Sequence, residues 1–216
     1  MNNEAVAVRS RSMVLPEAIV AVSGGLLRVE HRAIQGLMFL LSALILLNVV
    51  TRYTGYPIYW IDESAVYSVV WLSFIGASAM TRMRLDFAVT MLTERFSERG
   101  AAIFRAIATL GVVLFGIALS VMCWLWLDPV GIAQAGFDAK EYAGQSFNFI
   151  YTERTQTLNW PTWVIYLIMP IFAVSMTLHA LANLFEDLGL VAKQELPGFA
   201  AANADGVVNW WHSRLE

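Results

Sequence analysis

The residues that could carry chemistry are few, and most of them lie at the edges of apolar blocks. Asp62 and Glu63 open one long apolar run, and Arg52 closes the run before it. Carboxylates at a helix start are favoured by its dipole and free N–H groups, so two readings stand: capping, or a grip on a neighbouring subunit. Arg52 lies at the same level and is placed to pair with Glu63 across the hairpin. His31 and His179 both fall near the same ends of their runs, as an axial pair for a b-type haem would. Each also reads as an interfacial side chain or a helix-end cation. Cys123 stands alone in an apolar block, which fits a small buried side chain and leaves no disulfide framework or CxxC metal site. No HExxH, GxSxG or P-loop pattern is present. The expectation is therefore a non-enzyme with no catalytic, metal or substrate-binding residue and no cofactor.

The elements that hold these residues follow from composition. Of 216 residues 58% are hydrophobic and 14% charged, too little polar residue to cover a water-soluble surface, where about 25% charged is usual. The apolar residues fall in four blocks, at about 33–51, 64–81, 106–127 and 163–185, each near the roughly 20 residues that cross a bilayer. Arg52, Arg82 with Arg84, Asp128 with Pro129, and Glu186 with Asp187 end them in turn. Net charge is −3, with no basic stripe of the kind that nucleic acid requires.

Lys and Arg set the orientation, because positively charged loops stay on the cytoplasmic side. Eleven fall in the N-terminal segment, the second connection and the C-terminal tail, against three in the first and third connections. Both ends are thus expected inside. Tyr53, Tyr56, Tyr59, Trp60, Trp124, Trp126, Trp160, Trp163 and Tyr166 gather at the opposite level as an outer aromatic belt. The division expected is a cytoplasmic segment 1–32, a membrane domain 33–187 with an outer loop 128–162, and a cytoplasmic tail 188–216. The fold class is an all-α membrane protein of four transmembrane helices, with one or two interfacial amphipathic helices. These are 85–98, where apolar residues recur at helical spacing, and more weakly 14–29, which Gly24 and Gly25 interrupt. The outer loop is long for a helix hairpin, and its aromatic residues argue for an ordered surface facing a partner outside the membrane.

Ionisable groups inside a membrane are functional candidates by default, and this chain shows almost none at mid-depth. A path for a charged solute calls for paired interrupted helices, whereas Pro170 is the one proline deep in a span. Gly76, Ala77, Ser78 and Ala79, with Gly111, Gly116 and Ser120, permit close helix approach, within the chain or against a partner.

The run Trp60-Ile61-Asp62-Glu63, followed by Trp71, Gly76-Ala77 and Arg82, resembles the small, DctQ-like membrane subunit of tripartite ATP-independent periplasmic (TRAP) transporters. Leu158-Asn159-Trp160-Pro161, Tyr166 and Pro170 are similar to that family's last helix; the likeness covers about 52–185. It implies a sodium-driven importer of an organic acid in the bacterial inner membrane. There, a periplasmic solute-binding protein captures the solute, a large membrane subunit moves it, and the small subunit braces the large one and offers a docking surface. Membrane lipid is a further partner. Arg52, Trp60, Asp62, Glu63, Trp71, Gly76, Arg82, Asp86, Pro161 and Pro170 become candidates for partner or packing interfaces. Asp86 stands where the family commonly has a histidine, which puts any role of that histidine in doubt, and the loop before Pro161 is longer than usual. The alternative is a membrane anchor holding haem or quinone in a redox complex.

Overall fold

The computed structural model describes residues 2–84 and 98–194, with side chains for 14–84 and 100–194. Hydrocarbon offers no partner to backbone N–H and C=O groups, so apolar runs of spanning length must satisfy them within helices. The chain forms α1 (Asn2–Tyr53), α2 (Tyr59–Met83), α3 (Glu98–Leu127), α4 (Pro129–Gln134), α5 (Ala139–Ser146), α6 (Thr162–Tyr166) and α7 (Ile168–Asp187). Among the described residues, four stretches are long and apolar enough to cross a membrane: Val14–Tyr53, Tyr59–Met83, Gly100–Gln134 and Thr162–Asp187. Among the described residues there is no strand, only an isolated bridge between Arg154 and Pro161.

The first helix extends well beyond the block that its apolar run suggested. Its 52 residues, at about 1.5 Å each, reach about 78 Å, more than twice the hydrocarbon thickness of about 30 Å. Residues 14–29 are no separate surface helix: Gly24 and Gly25 lie inside unbroken α1. Gly24 has a packing role, since a Cβ there would press on the Gln194 side-chain oxygen at 3.0 Å. The second expected interfacial segment, 85–98, falls almost wholly outside the described residues, and Asp86 with it.

The hub of the bundle is α7, which packs on α1, α2 and α3, while α1 and α2 form a hairpin. Against α3 the approach is close: a Cβ on Gly116 would run into Thr177 Oγ1 and lie 3.3 Å from Met176 Cε. Against α2, Phe74 and Phe172 meet edge to face at 5.2 Å. The last span is interrupted at Leu167, where α6 gives way to α7. Pro170 has no N–H to give the Tyr166 carbonyl, so the ladder weakens there. The Trp71 indole of α2 reaches this break and donates to the Ile165 carbonyl at 3.2 Å. Trp71 and Pro170, far apart in sequence, thus belong to one joint.

A side chain at Gly116 is expected to force α3 off α7, whereas Gly111 has open space around it. Gly116→Val should lower stability by about 1–3 kcal/mol, as overpacking does, and Gly111→Val should change it little. Thermal midpoints in detergent check the contrast.

Candidate functional site

Polar side chains gather at two levels of the bundle. Asp62 and Arg82 stand twenty positions apart on α2, about 30 Å at helical rise, the thickness of the hydrocarbon core.

At the arginine end, Arg82 is buried, with its side chain 1% exposed, and faces Glu186 at 3%. Its Nη2 donates to Glu186 Oε1 at 2.6 Å and its Nη1 to Asn183 Oδ1 at 2.6 Å. Asn183 in turn donates to the Thr81 carbonyl at 2.7 Å. Arg84 closes α2 with a left-handed backbone, φ 55°, and reaches Asp187 at 2.7 Å and Glu186 at 3.3 Å. Two arginines from α2 therefore meet two carboxylates from α7, and the charges balance.

Further into the bundle, Glu30 of α1 accepts from Ser78 of α2 at 2.7 Å and lies 3.0 Å from His179 Nε2 of α7. Ser175 stands 2.8 Å from Ser78, and Ser23 2.7 Å from His179 Nδ1. With Glu30 a carboxylate, Nε2 carries the ring proton and, in the neutral ring, Nδ1 accepts from Ser23. The string has the connectivity of a Ser–His–Glu relay, yet Ser23 and His179 are fully buried and Glu30 is 6% exposed. No substrate reaches it. Its physical effect is to lock the rotation of three helices, because a buried polar group left unpaired costs more than the bond it loses.

Both ring nitrogens of His179 are engaged within the chain, Nδ1 with Ser23 and Nε2 with Glu30. His179 is not an interfacial side chain: it is fully buried between helices. The reading that ionisable groups are nearly absent from the spans also missed Glu30, set just before the first apolar block. A signal was available: Val20, Ser23, Leu27 and Glu30 recur on one helical face, as do Ser175, His179, Asn183 and Glu186.

At the loop end, Arg52 pairs with Asp62, not Glu63, at 2.6 Å. Asn48 joins them, donating to Asp62 at 2.5 Å and accepting from Arg52 Nε at 3.0 Å. Capping is not the work of the neighbouring carboxylate either, since the N-cap of α2 is Ile58, with no side-chain cap bond. Glu63 instead holds the segment before the last span. It accepts the backbone N–H groups of Gln156, Thr157 and Leu158 at 2.9, 2.8 and 2.9 Å, together with the Thr157 hydroxyl. Tyr67 adds a fifth donor at 2.9 Å. Successive N–H groups converging on one anion form a nest, here filled from within the chain. The gripped segment is a hairpin in which Thr155 N–H donates to the Trp160 carbonyl at 2.9 Å, with Pro161 at its foot as the N-cap of α6. Beside it lies an open cleft of about 610 Å³, lined in part by Tyr59, Asp62, Glu153 and Arg154.

The outer loop is folded. Asp128 caps α4 through Gly131 N–H at 2.9 Å, and Asp138 caps α5 through Lys140 and Glu141 N–H groups at 2.8 and 3.2 Å. The Glu141 N–H foremost, then that of Lys140, holds the Asp138 carboxyl below its usual range. This cap is in force above the ordinary carboxylate pKa and is lost as pH falls through the lowered value. Ile132, Ala135 and Tyr142 form a small core with Tyr151 against it.

Of the other residues singled out from sequence, Trp60 is 43% exposed, and a Cβ added to Gly76 would meet nothing within 4 Å. Among the described residues, Gly76 therefore has no helix packed against it. Replacing Glu63 with Ala should free the hairpin: hydrogen exchange at Gln156, Thr157 and Leu158 should speed up, while the middle of α2 keeps wild-type protection. Unchanged exchange at those three amides would contradict the clamp.

Comparison with known families gives one result. The profile described as "Tripartite ATP-independent periplasmic transporters, DctQ component" matches residues 41–190. No curated protein and no solved structure matches the chain.

Proposed function

The chain belongs to the DctQ component family of tripartite ATP-independent periplasmic transporters, and from that premise we propose that it is the accessory membrane subunit of a sodium-driven importer of an organic acid. Its partners in this reading are a large membrane subunit, which carries solute and ion, and a periplasmic solute-binding protein, in the inner membrane of a bacterium. Both chain ends face the cytoplasm, so the arginine end is inner and the folded loop periplasmic, as the distribution of Lys and Arg favours.

One observation carries the assignment of a brace rather than a carrier. Among the described residues the buried charged groups are tied up within the bundle: Arg82 and its neighbour Arg84 with Glu186 and Asp187, and Glu30 with His179 and the Ser78 hydroxyl. A solute or ion path needs polar groups that are free to exchange partners. What the bundle turns outward is apolar, with Phe39, Leu46, Leu114, Met122 and Val174 more than half exposed. Such faces suit lipid and the helices of a larger subunit. The α2 face with Val66, Val69, Gly76 and Met80 is the surface we assign to the large subunit, since Gly76 allows close approach and a Cβ there would meet none of the described residues within 4 Å. The polar side of the loop, around Lys140 and Glu141, is offered to the binding protein.

Uptake of a labelled carboxylate into sodium-free proteoliposomes, with and without sodium added outside, tests the assignment. The complete three-part system should transport, omission of this chain should abolish uptake, and this chain alone should give none. Flux by this chain alone would overturn the brace. Gly76→Leu should leave thermal stability unchanged and reduce co-purification of the large subunit. Deletion of 131–144 should weaken docking of the binding protein, and unchanged docking and uptake would remove that role from the loop.

A further inference from the structure

The folded loop 128–151 has an apolar edge that its own core does not use. Ile132, Ala135 and Tyr142 fill that core, whereas Phe137 and Phe147 are 76% and 81% exposed, Phe149 54% and Val130 52%. Phe137 and Phe147 bracket α5, and both hold a left-handed backbone, φ 62° and 57°. Bulky residues avoid that region, and a glycine would occupy it freely. Each aromatic ring is thus kept outside, on strained backbone, where water alone gives it nothing.

The position of the loop limits what can cover them. Tyr151 donates its hydroxyl to the Leu127 carbonyl at 2.5 Å, and Asn148 donates to the Trp126 carbonyl at 2.7 Å. The Trp126 ring also meets Tyr166 of the last span at 5.3 Å. The loop is therefore fastened to the very end of a membrane helix and cannot stand off from the bilayer. The exposed apolar face of α3, through Val121, Met122, Trp124 and Leu125, all more than half exposed, leads to Val130 at the start of the loop, and the half-buried Asp128 between them is engaged in capping α4. Lys140 and Glu141, exposed on α5 between the two phenylalanines, supply the polar side.

We propose that Phe137 and Phe147 anchor the loop in the adjacent leaflet of the bilayer, at the boundary of headgroups and acyl chains. Phenylalanine has no polar handle and so gains from full immersion, while a short helix with charges on its other side lies in the interface. The continuity of this edge with the lipid-facing surface of α3 makes lipid, not a soluble protein, the occupant. The anchor holds the loop at fixed height with Lys140 and Glu141 outward, whatever docks there, and it does not depend on the solute or the coupling ion.

The test uses the complete membrane complex in phosphatidylcholine and phosphatidylglycerol nanodiscs, in a Cys123→Ser background. Phe137→Cys, Phe147→Cys and, as control, Lys140→Cys are each labelled with an environment-sensitive fluorophore. All three side chains are exposed, so the Ile132–Tyr142 core stays intact. Labels at 137 and 147 should emit to the blue of the label at 140, be quenched by lipid carrying a shallow nitroxide, and resist iodide. The label at 140 should show the reverse. Labels at 137 and 147 that iodide quenches and nitroxide lipid does not would overturn the proposal. So would labels shielded without nitroxide quenching, whether by the large subunit or only after the binding protein is added, because the occupant would then be protein.

Discussion

Charges inside a membrane bundle must find partners on other helices, and in this chain that requirement sets the architecture. Arg82 of α2 is buried against Glu186 of α7, and a charge in such surroundings is tolerable only when paired and hydrogen-bonded. The pair therefore admits one rotation of α2 relative to α7. Glu30 extends the constraint to α1 through His179 and Ser78. Where these bonds are made, the apolar contacts farther along the helices follow, including Phe74 on Phe172 and the Trp71 indole on the proline-weakened turn.

The opposite end is tied by different means to the same effect. Arg52 and Asp62 close the first hairpin, and Glu63 draws the segment before α6 onto the start of α2. With α7 packed on three spans at once, the bundle is fastened at both faces of the bilayer and crossed at the middle by a helix with close contacts. A frame of this kind resists the rocking that a carrier needs and gives a moving partner something fixed to lean on. On the proposed reading, that is how a DctQ-family chain with closed ion pairs and apolar outer faces would serve a transporter without carrying solute.

Much of this was legible in the sequence, for reasons that differ by feature. Lipid dictates composition, so four apolar runs of spanning length announced four helices. Their true extent was hidden where polar residues are buried: Arg28, Glu30 and His31 looked like the edge of a span, although Glu30 faces α2 and α7. Adjacent residues on a helix point about 100° apart, so the choice between Asp62 and Glu63 as the partner of Arg52 hangs on the turn at 54–58 and not on spacing. The Glu63 clamp joins residues more than ninety positions apart, beyond any local pattern. Proline at 170 signalled a bend, but nothing nearby in the chain named Trp71 as its companion. The outer loop's order could be read from its aromatic content, and its left-handed phenylalanines could not.

The central claim is that the buried pair between α2 and α7 fixes the bundle, and a double-mutant cycle tests it most directly. Arg82→Met and Glu186→Met, singly and together, would be followed by reversible unfolding in mixed micelles. Glu186→Met leaves Arg82 buried with no carboxylate partner and should cost about 3–5 kcal/mol, whereas Arg82→Met leaves Glu186 still paired with Arg84 at 3.3 Å and should cost less. The double variant should lose far less than the sum, with a coupling of about 2 kcal/mol or more. Additive losses, with no coupling, would contradict the account.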